Sequence, residues 1–269
     1  MALIYVDQQK CTMCGICADI CPPRIIRMTK NGPSLSNPES CLACGHCVAI
    51  CPHTAIDNGK APLSNQVPLT EFPVIDSDSA YRFIRSRRSS RCYKNQKIPR
   101  DLLLRLMDIT RFAPTASNKQ GISYIIIDDT EILQKTTQLV IEWMEENQSH
   151  WWSFPIHIRA YKEHGIDGIF HSAPTLIIAA APKDFKNGRE NTILSFSYLE
   201  LFANTLGLGS AWAGLFEMCA FSNYAPLLEL LKIPDNKSIT GAVMAGYPRY
   251  SFQRLVDRNP LDVTILGNG

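Results

Sequence analysis

The sequence predicts an α+β protein of two unequal parts, a small cysteine-rich module and a larger domain with a mainly antiparallel central sheet. Three observations carry that expectation. Eight of the ten cysteines lie between Cys11 and Cys51. A stretch with three prolines and little periodicity, Asn58 to Pro73, follows them. Beyond it, helical and strand-like patterns interleave as far as Ala245. At 269 residues and roughly 150 residues per domain, two domains is also what the length allows. Hydrophobic residues at 45% and charged residues at 19% exclude a disordered, collagen-like or coiled-coil chain. A net charge of +2 is too small for a protein whose main partner is nucleic acid or an anionic membrane. The longest apolar stretch, Thr175 to Ala181, falls far short of the ~20 residues of a bilayer-spanning helix. The opening residues lack the basic, apolar and cleavage segments of a secretory signal. A cytoplasmic location is therefore expected, where cysteines in this number ligate metal rather than pair as disulfides.

The cysteines form two copies of one run: Cys11-x2-Cys14-x2-Cys17-x3-Cys21-Pro22 and, thirty residues on, Cys41-x2-Cys44-x2-Cys47-x3-Cys51-Pro52. Gly15 corresponds to Gly45 and Ile20 to Ile50. Zinc takes four tetrahedral ligands and has no use for a third cysteine at the same step. Three closely spaced thiolates suit three corners of a cubane cluster instead. Residues 1–60 thus resemble a bacterial-type ferredoxin, in which the cysteine before proline serves the other cluster. The resemblance implies two [4Fe-4S] clusters, one on Cys11, Cys14, Cys17 and Cys51, the other on Cys41, Cys44, Cys47 and Cys21, and one-electron transfer as the module's role. Gly15 and Gly45 are expected to turn the loops tightly and bring backbone amides near the sulfurs. With so few residues outside the loops, the clusters are expected to hold the module folded. Cys92 and Cys219 stand outside both copies and read as small, partly buried residues.

A linker over 61–76 leads into a second domain, 77–269. Asp76 to Ser79 offers N-caps for a helix through Tyr81 and Ile84. Pro99 opens a stronger helix whose apolar face is Leu102, Leu103, Leu106, Met107, Ile109 and Phe112, and which must end before Pro114. Strands are expected at Ser123 to Asp128, Thr175 to Ala181, Ser210 to Phe216 and Ile239 to Ala245. Helices are expected through Ile132 to Gln148, Asn191 to Leu206 and Ala225 to Leu231. Gly207-Leu208-Gly209 follows a helix and precedes a strand, the reverse of a dinucleotide fingerprint, so no Rossmann nicotinamide site is expected. Trp143, Trp151, Trp152 and Phe154 suit either an aromatic cover over a substrate or packing at a subunit interface.

Tyr81 to Arg100 holds eight basic residues and no acidic one. Within it, Arg87-Arg88-Ser89-Ser90-Arg91 offers planar guanidinium donors and hydroxyls suited to a terminal phosphate, the alternative being a solvated charged face. Here the sequence resembles the nitroreductase family of FMN enzymes. The resemblance rests on that run, on Ala113-Pro114-Thr115-Ala116-Ser117-Asn118-Lys119-Gln120, on Gly207 to Gly214 and on Gly246-Tyr247-Pro248, and it covers residues 77 to 269. It implies that Arg87, Arg88, Ser89 and Arg91 hold the FMN phosphate, with Arg258 and Arg254 as further phosphate ligands. It also implies that Pro114, Thr115, Ala116 and Asn118 line the flavin ring from the facing subunit, and that Trp212, Ala213 and Gly214 supply backbone contacts near the reactive nitrogen. Gly121 stands where the family has proline. A homodimer with two FMN sites follows from the same resemblance.

The fusion joins a one-electron carrier to a cofactor that gives electrons in pairs. The expected function is an iron–sulfur flavoprotein oxidoreductase. An external low-potential donor protein such as a ferredoxin supplies electrons through the two clusters to FMN, which reduces a small organic acceptor of the nitroaromatic, quinone or enone type. Two alternatives stand beside it: an NAD(P)H-driven flavin reductase that exports electrons through the ferredoxin part, and a non-catalytic electron carrier or redox sensor. No side chain is assigned as a catalytic acid. His53, His150, His157, His164 and His171 read as structural or exposed, and His46 lies inside the second cysteine loop.

Overall fold

In the computed structural model, which describes residues 3–69 and 73–267, the chain divides into two compact units. One is Met1–Val74 with Thr115–Lys119; the other is Ile75–Pro114 with Gln120–Gly269. Residues 70–72 of the expected linker lie outside the described residues.

The first unit contains β1 (Ile4–Val6), α1 (Ile16–Asp19), β2 (Ile26–Thr29), β3 (Gly32–Leu35), α2 (His46–Ala49) and β4 (Ile56–Asn58). Strand β1 pairs antiparallel with β4, Ile4 opposite Asn58 and Val6 opposite Ile56, and β2 pairs with β3. Each short helix follows a left-handed glycine, Gly15 at φ 81° and Gly45 at φ 72°, a conformation glycine adopts at little steric cost. The sequence repeat is also a backbone repeat. Met13 and Ala43 are both left-handed, at φ 60° and 52°, and so are Arg24 and Thr54, at 52° and 48°. Each of these costs on the order of 1–2 kcal/mol for a residue with a Cβ. The apolar core that opposes this strain is small: Ile4, Ile25, Ile26, Val48 and Ile56, packed among the cysteines themselves.

The second unit is built on a four-stranded sheet of β5 (Ser123–Ile127), β6 (Thr175–Pro182), β7 (Gly209–Trp212) and β8 (Lys237–Gly246), in the order β5-β6-β8-β7 with every pair antiparallel. Its helices are α3 (Ser77–Ser86), α4 (Arg100–Asp108), α5 (Thr130–Glu146), α6 (Phe154–His164), α7 (Gly188–Thr205), α8 (Gly214–Phe221) and α9 (Ala225–Leu230). Asp76 caps α3 by accepting from Ser79 N, and Asp129 caps α5 by accepting from Ile132 N.

Alternation along the two central strands sends side chains to both faces of the sheet. Leu176, Ile178, Ala242 and Met244 join a core with Val140, Trp143, Phe154, Phe216 and Leu227. Ile177, Ala179, Val243 and Ala245 join a second with Leu103, Leu106, Phe196 and Leu199. The unit is therefore a sheet covered by helices on both faces, which is why β6 and β8 read as continuous apolar runs.

Phe196 in the second core is fully buried, edge-on to Trp212 at 5.4 Å and tilted against Tyr124 at 6.0 Å. Phe196→Ala is expected to cost about 3–5 kcal/mol, read as a lower urea midpoint at unchanged slope. An unmoved midpoint would contradict the two-faced core.

Several expectations need correction. The strand expected to Phe216 stops at Trp212: Ala213 N still donates to Ala242 O (2.9 Å), but Glu217 N then donates to Ala213 O (2.9 Å) and α8 begins. Phe216, Cys219 and Ala220 are buried at helical spacing. The aromatic residues divide between elements, Trp143 in α5 and Phe154 at the start of α6, a helix the sequence reading did not expect. Trp143 and Phe154 are core residues in edge contact at 5.5 Å, while Trp151 and Trp152 are exposed. Phe112 is also exposed, because the helix tightens into a 3-10 turn over Ile109–Phe112. Cys92 is exposed rather than partly buried, and Cys219 is fully buried. Among the described residues no helix is long and apolar enough to cross a membrane.

Candidate functional site

In the first unit the eight repeat cysteines surround two cavities. One is lined by Cys11, Cys14, Cys17 and Cys51; the other is lined by Cys21, Cys41, Cys44 and Cys47. Each cavity therefore takes three cysteines of one run and the fourth of the other. Pairing of β1 with β4 brings the end of the module back to its beginning, and this places Cys51 with the first run. Among the described residues no three Cys, His, Asp or Glu side chains converge closely enough to hold a single metal ion. The thiols ring a space instead, and the rest of its lining is mostly apolar, with Val6, Met28 and Ile56 in the first case and Ile25, Ile26 and Leu35 beside His46 and Asn58 in the second.

Donors reach the sulfurs in both sets. Ala55 N donates to Cys51 Sγ at 3.3 Å, and the Asn58 side-chain amide faces Cys41 Sγ at 3.7 Å and Cys47 Sγ at 3.9 Å. Burial pushes the Cys17 and Cys47 thiols up from their ordinary value, so loading a metal there releases protons.

The segment Thr115–Lys119 clusters with this unit. Asn118 Nδ2 donates to Leu42 O (3.1 Å) and Ala43 O (3.0 Å), carbonyls of the second cysteine loop. Of the residues expected to line a flavin ring, Thr115, Ala116 and Asn118 thus fall in the first unit and Pro114 in the second. Gly121 sits at φ 59°, which proline cannot adopt, and that explains the departure from the family pattern at this position.

In the second unit the basic segment leaves α3 and runs beside β7. Ser89 bridges Ser210 in parallel, and Ser90 N donates to Ser210 O at 2.9 Å. The approach is close enough that a Cβ on Gly209 would lie 2.2 Å from Ser90 Oγ. Tyr93 continues the segment: it bridges Pro248 and its hydroxyl donates to Ser90 O at 2.6 Å. Burial holds that hydroxyl protonated well above its usual range. Arg87, Arg88 and Ser89 are half-buried and Arg91 is exposed.

Arg88 Nε is shut off from solvent with no hydrogen-bond partner. Thr175 Oγ1 and Asn191 Nδ2 share that condition among the described side chains, but only Arg88 is a cation. A buried cationic donor left unpaired is costly, and an anion received there would satisfy it. Arg254 and Arg258 lie exposed on the extended tail, which Arg85 ties to α3 through Val256 O (3.5 Å) and Asp257 (4.0 Å).

Three charged residues absent from the sequence expectation organise the ground around β7. Glu200, 7% exposed, accepts from Trp212 Nε1 (3.1 Å) and Ser210 Oγ (3.4 Å) and pairs with Arg87 (3.5 Å). Arg189 meets both carboxylate oxygens of Glu217 at 3.1 Å and lies over the Trp212 ring at 5.0 Å. Glu217 also accepts from Ala242 N at 2.8 Å. Trp212 is thus held by an acid on its indole nitrogen and a cation on its face, and Ala213 and Gly214 follow it into α8. The signal for Glu200 was present in the sequence: it stands in helical phase with the core residues Phe196, Leu199 and Ala203, where a charge has to be paired. Burial raises the Cys219 thiol to about 12 and lowers His157 and His171, which leaves an inert thiol and two neutral imidazoles.

Comparison with known proteins agrees with this geometry. The nitroreductase family model matches residues 84–247, more than half of the chain, and a 4Fe-4S dicluster domain model matches residues 3–52. A protein of Archaeoglobus fulgidus named as an NADH dehydrogenase/NAD(P)H nitroreductase is 25% identical over 183 residues, 64% of this chain and 87% of that protein. One of the same name from Methanothermobacter thermautotrophicus is 22% identical over 170 residues, 61% of this chain and 75% of its own length. Among solved structures, an FMN-bound nitroreductase of Bacteroides fragilis shares the fold at a TM-score of 0.56 and 20% identity, covering 72% of this chain and all of its own. Another from Desulfitobacterium hafniense does so at 0.57 and 17%, covering 71% of this chain and all of its own. The chain belongs to the nitroreductase family and carries an N-terminal 4Fe-4S dicluster domain.

Proposed function

We propose that this oxidoreductase takes electrons from an external low-potential donor protein such as a ferredoxin, through two [4Fe-4S] clusters and FMN, to a small organic acceptor of the nitroaromatic, quinone or enone class. The observation that supports it best is the crossed grouping of eight cysteines around two cavities in a chain whose other unit has the nitroreductase fold. When bound, the clusters store single electrons and FMN exchanges them singly or as a hydride.

The chain's own residues hold and orient. Arg87, Arg88, Ser89 and Arg91 take the phosphate, Arg88 Nε being the buried donor that an anion satisfies. Trp212, fixed by Glu200 and Arg189, presents the Ala213 and Gly214 backbone to the ring. Pro114, Thr115, Ala116 and Asn118 line the ring from a second copy. Association as a homodimer is supported by Ile193, Leu194 and Tyr198, about 40% exposed on the otherwise core-forming α7. Exposed apolar side chains grouped on one helix suit a partner surface. A cytoplasmic location fits this reading, since cysteines kept free for iron suit a reducing compartment.

On anaerobically purified protein, about eight irons and one extractable FMN per chain are expected, and stepwise reduction should pass electrons from clusters to flavin. Iron without flavin would overturn the reductase reading. A second reading, direct reduction by NAD(P)H, is favoured by the names of the archaeal relatives. NAD(P)H oxidation without a donor protein would select it; turnover only with reduced ferredoxin would select the first.

A further inference from the structure

The thirty-residue repeat aligns Asn58 with Met28, and each faces its own cavity, Met28 the first and Asn58 the second. The two positions are equivalent in the repeat and opposite in chemistry. Met28 presents a thioether, a weak acceptor. Asn58, 3% exposed, presents an amide whose nitrogen lies 3.7 Å from Cys41 Sγ and 3.9 Å from Cys47 Sγ. Its orientation is fixed by the other end of the group, because Asn58 Oδ1 accepts from Lys60 N at 2.9 Å. The amide nitrogen therefore points at the sulfurs, and its two hydrogens serve two cysteines.

We propose that Asn58 is a potential-setting residue that makes the two clusters of the repeat unequal, raising the reduction potential of the cluster held by Cys21, Cys41, Cys44 and Cys47. The proposal rests on the cluster reading above. Reduction adds negative charge to a cluster and its sulfurs, so a donor aimed at the sulfurs stabilises the reduced state more than the oxidised one. Met28 gives the first cluster no such donor. The backbone amide of Ala55, on Cys51 Sγ at 3.3 Å, is the donor recorded on that side, and it is unaffected by either substitution below.

The test is a redox titration of the whole iron-loaded chain, followed by EPR, for wild type, Asn58→Met and Met28→Asn. In Asn58→Met one of the two cluster potentials should fall while the other stays within error, with iron content unchanged at about eight. In Met28→Asn the other potential should rise. Two unmoved potentials in Asn58→Met at full iron content overturn the proposal. If Asn58→Met fails to load iron, Met28→Asn decides alone, and an unmoved potential there overturns it. Loss of iron in both variants also counts against it, since these residues would then hold clusters rather than tune them. Wild-type protein without about eight irons rejects the cluster reading itself, an outcome distinct from the others.

Discussion

The Cys14→Ala/Cys51→Ala double variant is expected to keep about half of the wild-type iron, and Cys14→Ala/Cys21→Ala almost none. Cys14 and Cys51 line one cavity, so the second substitution removes a ligand from a cluster already lost. Cys21 lines the other, so its removal reaches the surviving cluster. Effects on one shared unit do not add, whereas effects on separate units do, and this contrast carries the assignment without any need to tell the two clusters apart spectroscopically. If each run of four cysteines held its own cluster, the outcomes would be exchanged, with Cys14→Ala/Cys21→Ala retaining half. Iron and sulfide analysis of the full chain is sufficient. The losses should also unfold that unit locally, because its apolar core is a handful of isoleucines and one valine set against several left-handed residues.

Arg88→Ala is expected to weaken FMN binding about 10- to 100-fold, the equivalent of one or two charge-assisted hydrogen bonds at 1.4 kcal/mol per factor of ten. It should cost the flavin-free chain no more than about 1 kcal/mol. Arg88 Nε has no protein partner to lose, and its recorded ring contact is with Phe252 at 5.8 Å. Arg88→Lys should recover only part of the affinity, because an ammonium lacks the planar fork.

Glu200→Ala should act chiefly on stability, with a smaller effect on flavin affinity through Trp212 and Arg87. It strips the acceptor from Trp212 and Ser210 and leaves Arg87 without its acid, a loss on the order of 2–3 kcal/mol in stability. That figure is below the value for a fully buried pair because the Arg87 side chain is 28% exposed. Flavin titration of deflavinated protein and urea unfolding separate the two effects. Unchanged FMN affinity in Arg88→Ala would remove the phosphate role from this segment.

Much of this architecture was legible because it rests on periodicity. The continuous apolar runs of β6 and β8, the Pro99 start of α4 and the capping by Asp76 all follow from local rules. Trp212 shows where those rules stop. Ser210 to Phe216 carries a strand-like composition, but Ala213 closes the ladder against Ala242 and the chain turns into α8, a choice made by a tertiary hydrogen bond. The aromatic residues were left between two readings for a related reason. Trp143 and Phe154 belong to different helices, α5 and α6, and meet edge-on in one core, a contact that periodicity does not give.

The left-handed Met13, Ala43, Arg24 and Thr54 were equally silent, since nothing in a methionine or arginine announces a positive φ; their repetition became visible only in the backbone. Glu200 and Glu217 are acids inside apolar helical faces. Their presence was readable, but their partners Arg87, Trp212 and Arg189 were not.

The pairing of β1 with β4 has a consequence for how this module can travel. Ile4 and Asn58 are cross-strand partners, and such partners lie about 4.5–5.5 Å apart. The dicluster module is therefore a closed loop of chain that enters and leaves at the same edge. A segment of that kind can be spliced between two neighbouring residues of a host hairpin without stretching the host or opening the guest. Transplanted in this way, it would lend a protein with no redox chemistry a place to receive electrons.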